Sequence, residues 1–159
     1  MTMYSLQLEQ LKGLVEPVAW HYRPTFEDSY ISSPIWSVYS KLFAQTWAAS
    51  AFKGGLNRLS MQTNSTHHVL NNRAWRQLMD SPTMENTPLS AIILTGWSRF
   101  DHFMPLCDLL PTAYESLIAS LHMLNTGEFI INDYTNDCHG LLNTLGKDTG
   151  LCQDLPGNS

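Results

Sequence analysis

Ala91-Ile92-Ile93-Leu94-Thr95-Gly96-Trp97-Ser98-Arg99-Phe100-Asp101-His102 holds the reading on which the fold turns. Its first four residues are apolar, uncharged and rich in β-branched side chains, as in a strand buried on both faces of a parallel sheet. Thr95-Gly96 ends the run. Trp97, Arg99, Phe100, Asp101 and His102 follow at once, aromatic rings among hydrogen-bonding groups. An apolar strand ending in such a cluster resembles the C-terminal lip of an α/β sheet, where ligands bind in barrels and open sheets alike. A buried Trp97 beside a solvated turn is the plainer alternative.

Two earlier stretches repeat the pattern. Residues 15–20, VEPVAW, read as a strand with Pro17 near its start, where a missing ladder donor matters least. That strand runs into a second polar and aromatic cluster, Trp20-His21-Tyr22-Arg23-Pro24. Residues 46–52, TWAASAF, read as a third strand whose alanines allow close approach. Lys53-Gly54-Gly55 follows, but it lacks the upstream glycine and the hydroxyl after lysine that a phosphate loop requires.

Helical spacing fills the intervals. Tyr4, Leu8, Leu11 and Leu14 share a face, with Gly13 as the stop. A loop through Phe26, Glu27 and Asp28 leads to Ser32-Ser33-Pro34, a serine cap with proline in the first turn. The helix after it presents Ile35, Val38, Tyr39 and Leu42. Another carries Leu70, Ala74 and Leu78 and ends at Ser81-Pro82. Residues 111–124 carry Leu117, Leu121 and Leu124 in register, and from residue 125 Gly, Asn, Asp and Thr predict a loose tail. Strands alternating with helices predict an α/β fold with a parallel sheet. All three strand ends, near Trp20, Ser50 and Trp97, then lie on one edge.

Composition narrows the functions. The chain has 159 residues, long enough for one real core but short of the roughly 250 of a complete barrel. Charged residues make up 14% and hydrophobic ones 43%. Such low charge argues against disorder and suggests a surface meant to be covered by more protein. A net charge of −5 without a basic cluster excludes a nucleic-acid footprint and an anionic-membrane patch. No apolar run is long enough to span a bilayer, and the first residues lack the basic and apolar regions of a secretion signal. Cys107, Cys138 and Cys152 have no CxxC spacing and cannot all pair, which predicts free thiols in a reducing compartment, cytoplasmic or nuclear.

Taken together, VEPVAWHYRPTF, WAASAFKGG and IILTGWSRFDHFMPLCDLLP resemble the last three strands of the β-N-acetylhexosaminidases of glycoside hydrolase family 20, and within them the D-type enzymes. The resemblance runs from about Leu14 to Leu124. It implies that residues 1–124 are the C-terminal portion of a (β/α)8 TIM barrel, the last three strand-helix units, with residues 125–159 as a weakly structured tail. It further implies a retaining hydrolysis in which the substrate's own 2-acetamido oxygen attacks the anomeric carbon. In that family an adjacent Asp-Glu pair on an earlier strand supplies the general acid and orients the acetamido group. This chain has no Asp-Glu dipeptide; Glu27-Asp28 is reversed and lies past its strand.

The resemblance therefore leaves one side of a sugar pocket and no catalytic residue. By motif, Trp20 and Trp97 line the acetamido cage. Arg99 stands where the wider family has a Glu that grips sugar hydroxyls, so Asp101 becomes the candidate for that contact. Tyr22 is the substitute for the family's acetamido-binding Tyr. The implied partners are a glycoconjugate ending in N-acetylhexosamine and the missing N-terminal part of the barrel, with no cofactor and no metal.

Other residues have plain readings. Neighbouring His67-His68 on a helix diverge by about 100° and lack a third ligand, so they read as solvated surface. Asn64-Ser65-Thr66 is a glycosylation sequon that matters only in a secreted parent. Cys107 reads as core. A truncated chain that binds carbohydrate without catalysis, and an unrelated nucleotide binder, are the rival functions. The second is disfavoured by the absence of a Gly-rich turn after the first strand.

Overall fold

The structure, a computed structural model, describes residues 13–54, 56, 57, 60, 62–84 and 89–128. The helix expected through Tyr4 and Leu8, most of the tail expected from residue 125, Cys138 and Cys152 lie outside the described residues.

Three strands form a parallel sheet in sequence order: β1 (Val18–Trp20), β2 (Thr46–Lys53) and β3 (Leu89–Gly96). The expected α/β architecture is therefore present. Trp20, Ala49 and Ile93 form one row across the strands, and Ala19, Ala48 and Ile92 the next. The expected first strand is shorter than residues 15–20, although Trp47 N still donates to Pro17 O (2.9 Å) ahead of it. Near its end β2 carries one extra residue, since Ala51 pairs with Thr95 and Lys53 with Gly96. Such a bulge turns a strand end and re-aims its last side chain.

The loop after β1 contains a short helix not foreseen from the sequence, α1 (Asp28–Ile31). It is followed by α2 (Pro34–Leu42), whose Ser33 side chain accepts from Ile35 N as expected of a serine cap. Then come α3 (Ser65–Met79), a 3-10 turn (Pro82–Met84) and α4 (Leu110–Thr126). A left-handed Gly127 caps α4 and donates to Met123 O (2.9 Å).

The main core joins Trp36 of α2, Ala48 of β2, Trp75 and Leu78 of α3, Met84 and Leu89, with Ala19 and Ile92 packed against it. It lies on one face of the sheet. On the other face Val18, Trp20 (69% exposed) and Ile93 stand open. This corrects the expectation that β3 is buried on both sides, because Ile93 is 41% exposed.

The helix phases also differ from the leucine pattern. In α2 the buried residue is Trp36, while Ile35 and Val38 are exposed. In α4 the buried face is Ala113, Ser116, Ala119, Ser120 and Met123, and Leu121 is exposed. Small side chains let α4 lie close along α3, where Ala119 and Met123 pack on Val69. In α3 the sheet-facing residues include His68, Asn71 and Asn72, so His68 is core and not the solvated surface expected. The sheet's own polar groups explain this: Asn72 accepts from Ser50 Oγ (2.6 Å) and donates to Ala51 O (3.2 Å).

Candidate functional site

Parallel pairing puts the C-terminal ends of all three strands on one edge, and two segments meet there. The first is His21-Tyr22-Arg23, just past β1. Its three carbonyls are taken in turn by α3. Trp75 Nε1 and Asn71 Nδ2 both donate to His21 O (2.9 Å each), His67 Nε2 meets Tyr22 O (2.7 Å), and Asn71 Nδ2 also donates to Arg23 O (2.7 Å). Chain leaving a strand would otherwise hold these acceptors unpaired at the edge of a core. The His21 ring packs on Phe26 and Tyr30, and burial pushes its pKa below the ordinary value, with nearby Arg23 adding to the effect. Tyr30, in the same aromatic cluster, has its phenol pushed up to about 12, chiefly by burial.

The second segment is the loop after β3. Trp97 N donates to Lys53 O (3.1 Å), and Lys53 Nζ donates back to Trp97 O (2.8 Å), Ser98 Oγ (3.0 Å) and Asp108 O (3.0 Å). Three acceptors match the three donors of an ammonium, each charge-assisted bond being worth about 1.5–3 kcal/mol. At the loop's other end, Asp108 is buried with φ +46°. Its carboxylate accepts from Ser60 Oγ (3.0 Å), with Thr63 Oγ1 at 3.5 Å, and its N donates to Ser60 O (3.1 Å).

Between these ends the loop folds on itself. Arg99 pairs with Leu106 across an antiparallel bridge, and its guanidinium donates to Met104 O (3.0 Å). Asp101 Oδ1 accepts from Phe103 N (3.0 Å), closing the turn from which Phe103 projects, 98% exposed. Arg99 and Asp101 are thus engaged inside their own loop, and both remain at the surface.

The two segments bring Tyr22 and Trp97 together edge to face, with ring centroids 6.1 Å apart. Trp97 keeps 46% of its surface exposed. Trp20 is the last residue of β1, two positions before Tyr22, level with Ala49 and Ile93. Of the five residues expected at the site, Tyr22 and Trp97 are in contact, and Trp20 stands below them on the open face. Arg99 and Asp101 sit further out in the loop.

Lys53, Ser98 and Asp108 were missed because lysine was weighed only as part of a phosphate loop. Among the described residues, a surface groove of about 360 Å³ lies apart from the Tyr22–Trp97 pair, between Pro24-Thr25-Phe26 and Leu70, Arg73 and Gln77. Among the described residues no group of three His, Cys, Asp or Glu side chains is placed to hold a metal ion.

No protein-family model matches the chain. Its curated relatives include hexosaminidase D of Bos taurus, 40% identical over 130 residues, which is 78% of this chain and 37% of the relative. They also include hexosaminidase D of Homo sapiens, 40% identical over 117 residues, which is 73% of this chain and 24% of the relative. The chain spans well under half the length of either. Over about three-quarters of its own length, this chain is a hexosaminidase D-like relative.

Proposed function

We propose that the chain forms one side of the sugar pocket of a β-N-acetylhexosaminidase, with Tyr22 and Trp97 against the 2-acetamido group of a terminal N-acetylhexosamine. The observation that carries this reading is the Tyr22–Trp97 pair at the C-terminal edge of a parallel sheet, in a chain related to hexosaminidase D. Flat rings in that place grip the acetamido methyl, exclude water and hold its oxygen close to the anomeric carbon. Trp20 continues the surface. Arg99 and Asp101 shape the loop behind Trp97, and the exposed Asp101 carboxylate is the candidate for a sugar hydroxyl.

In this reading the three strand-helix units are the last of a (β/α)8 barrel. The open face supports it, since parallel sheets are covered on both sides and Val18, Trp20 and Ile93 are exposed. The remaining strands of the barrel, bearing the Asp-Glu pair, would cover that face and supply the general acid. These 159 residues contain no Asp-Glu dipeptide, so the chain binds the sugar and does not cleave it.

Saturation-transfer NMR on the chain tests this. N-acetylglucosamine and N-acetylgalactosamine should receive saturation most strongly at the acetamido methyl, glucose should receive little, and a chromogenic hexosaminide should stay intact. Equal saturation of glucose, or turnover above the blank, would refute the reading.

A further inference from the structure

We infer that Lys53 is a positioning residue for this site: its buried ammonium fixes the backbone of Trp97 and with it the stance of the indole against Tyr22. The inference rests on the reading of Tyr22 and Trp97 as a sugar-binding surface, and it assigns a residue that touches no sugar.

Lysine is seldom buried without a carboxylate partner. Lys53 is 5% exposed, and among the described residues its three acceptors are two carbonyls and a hydroxyl. Both polar backbone atoms of Trp97 are held by this one residue, N by Lys53 O and O by Lys53 Nζ. Gly54 closes the other side of the same peptide. It has φ +77°, and a Cβ there would lie 2.2 Å from Trp97 O. Trp97 is therefore gripped at its backbone while its ring lies edge to face on Tyr22 and stays half exposed.

Trp97 and Asp108 bracket the loop, and Lys53 bonds to both ends. Cys107 N donates to Ser98 O (3.0 Å) just inside them. The loop is pinched at its base around one ammonium, and Lys53 reaches it from the irregular end of β2. Holding the loop for stability alone does not require a desolvated charge; an apolar residue of similar volume closes a loop at lower cost. What the ammonium adds is direction, because its three bonds fix where the Trp97 carbonyl points.

The test uses the full chain with 5-fluorotryptophan at its five tryptophans, the Trp97 fluorine resonance being assigned through Trp97→Phe. Lys53→Met removes all three bonds and keeps the length of the side chain. Ser98→Ala removes one acceptor at an exposed position, so it tests the same point if Lys53→Met fails to fold. The Trp97 resonance should shift or broaden in Lys53→Met, and less in Ser98→Ala, while those of the core residues Trp36 and Trp75 stay in place. N-acetylglucosamine affinity should fall at least tenfold in Lys53→Met.

A Trp97 resonance of wild-type position and width in the folded variants would overturn the inference. A merely structural lysine would give that result together with a lower melting temperature. If the resonance moves but the wild-type chain binds no N-acetylglucosamine, the positioning of Trp97 stands and the sugar reading falls.

Discussion

His68 is set to make the protein lose stability in mild acid. It is 1% exposed on the sheet-facing side of α3, and among the described residues neither ring nitrogen has a partner of good hydrogen-bond geometry, the Ala51 backbone being the polar group beside it. Burial pushes its pKa down to about 4, and neighbouring His67 adds to the effect; the Ala51 backbone beside the ring pulls weakly the other way. The folded state therefore keeps His68 neutral, while the unfolded chain takes up a proton below about pH 6.5. Stability from this group is whole above about pH 6.5 and drains away as the pH falls towards 4. The full difference is about 3 kcal/mol, of which about 2 kcal/mol is gone at pH 5.

With a urea slope of about 1.5 kcal/mol/M, that loss lowers the midpoint by about 1.3 M. Urea unfolding of the wild type and His68→Leu between pH 7.5 and 4.5 checks it. The variant is the right reference because other groups titrate nearby: His21, lowered by burial, acts in the same sense. Glu115, raised by burial, acts in the opposite one. The wild-type midpoint should fall more steeply than the variant's. Parallel curves across this range would refute the argument, and with it the claim that His68 is buried uncharged.

Three further outcomes follow from the packing. Gly54→Ala places a Cβ on the Trp97 carbonyl at a positive φ, and should lower stability by about 2 kcal/mol or more in chemical unfolding. Trp75→Ala empties the centre of the core and leaves His21 O with one donor fewer; a loss of about 3–5 kcal/mol should show in the same assay. Phe103→Ser removes a ring that contributes nothing to the core, so ultracentrifugation should find less self-association at an unchanged melting temperature.

The sheet was legible because its punctuation is sharp. Thr95-Gly96, Lys53-Gly54 and Trp20-His21 each end an apolar run, and helical stretches between runs leave parallel pairing as the simple arrangement. The helix faces were not, because the sequence pattern counts leucines and the core uses other residues. Asn71, Asn72 and His68 belong to a polar surface by type, yet α3 turns them inward; the two asparagines bond to chain ends and strand carbonyls that the sheet leaves unpaired. The buried face of α4 is mostly Ala and Ser, with Met123 as its one large apolar residue, so its hydrophobic signal is weaker than that of the leucines.

At the site, Tyr22 and Trp97 announced themselves as aromatics past strand ends. Lys53 could not, since its partners Trp97 and Asp108 stand 44 and 55 residues away and depend on a bulge. Arg99 and Asp101 drew notice for their charge, and their visible work is to fold the loop that bears them.

The central claim is that the Tyr22–Trp97 edge receives the acetamido group of an N-acetylhexosamine, and a crystal structure of the chain with N-acetylglucosamine tests it most directly. The account predicts the acetamido methyl within about 4 Å of the Trp97 indole, at the C-terminal edge of the sheet and beside the Tyr22 ring. A sugar bound instead in the groove beside Arg73 and Gln77, or an indole left bare at saturating sugar, would contradict it.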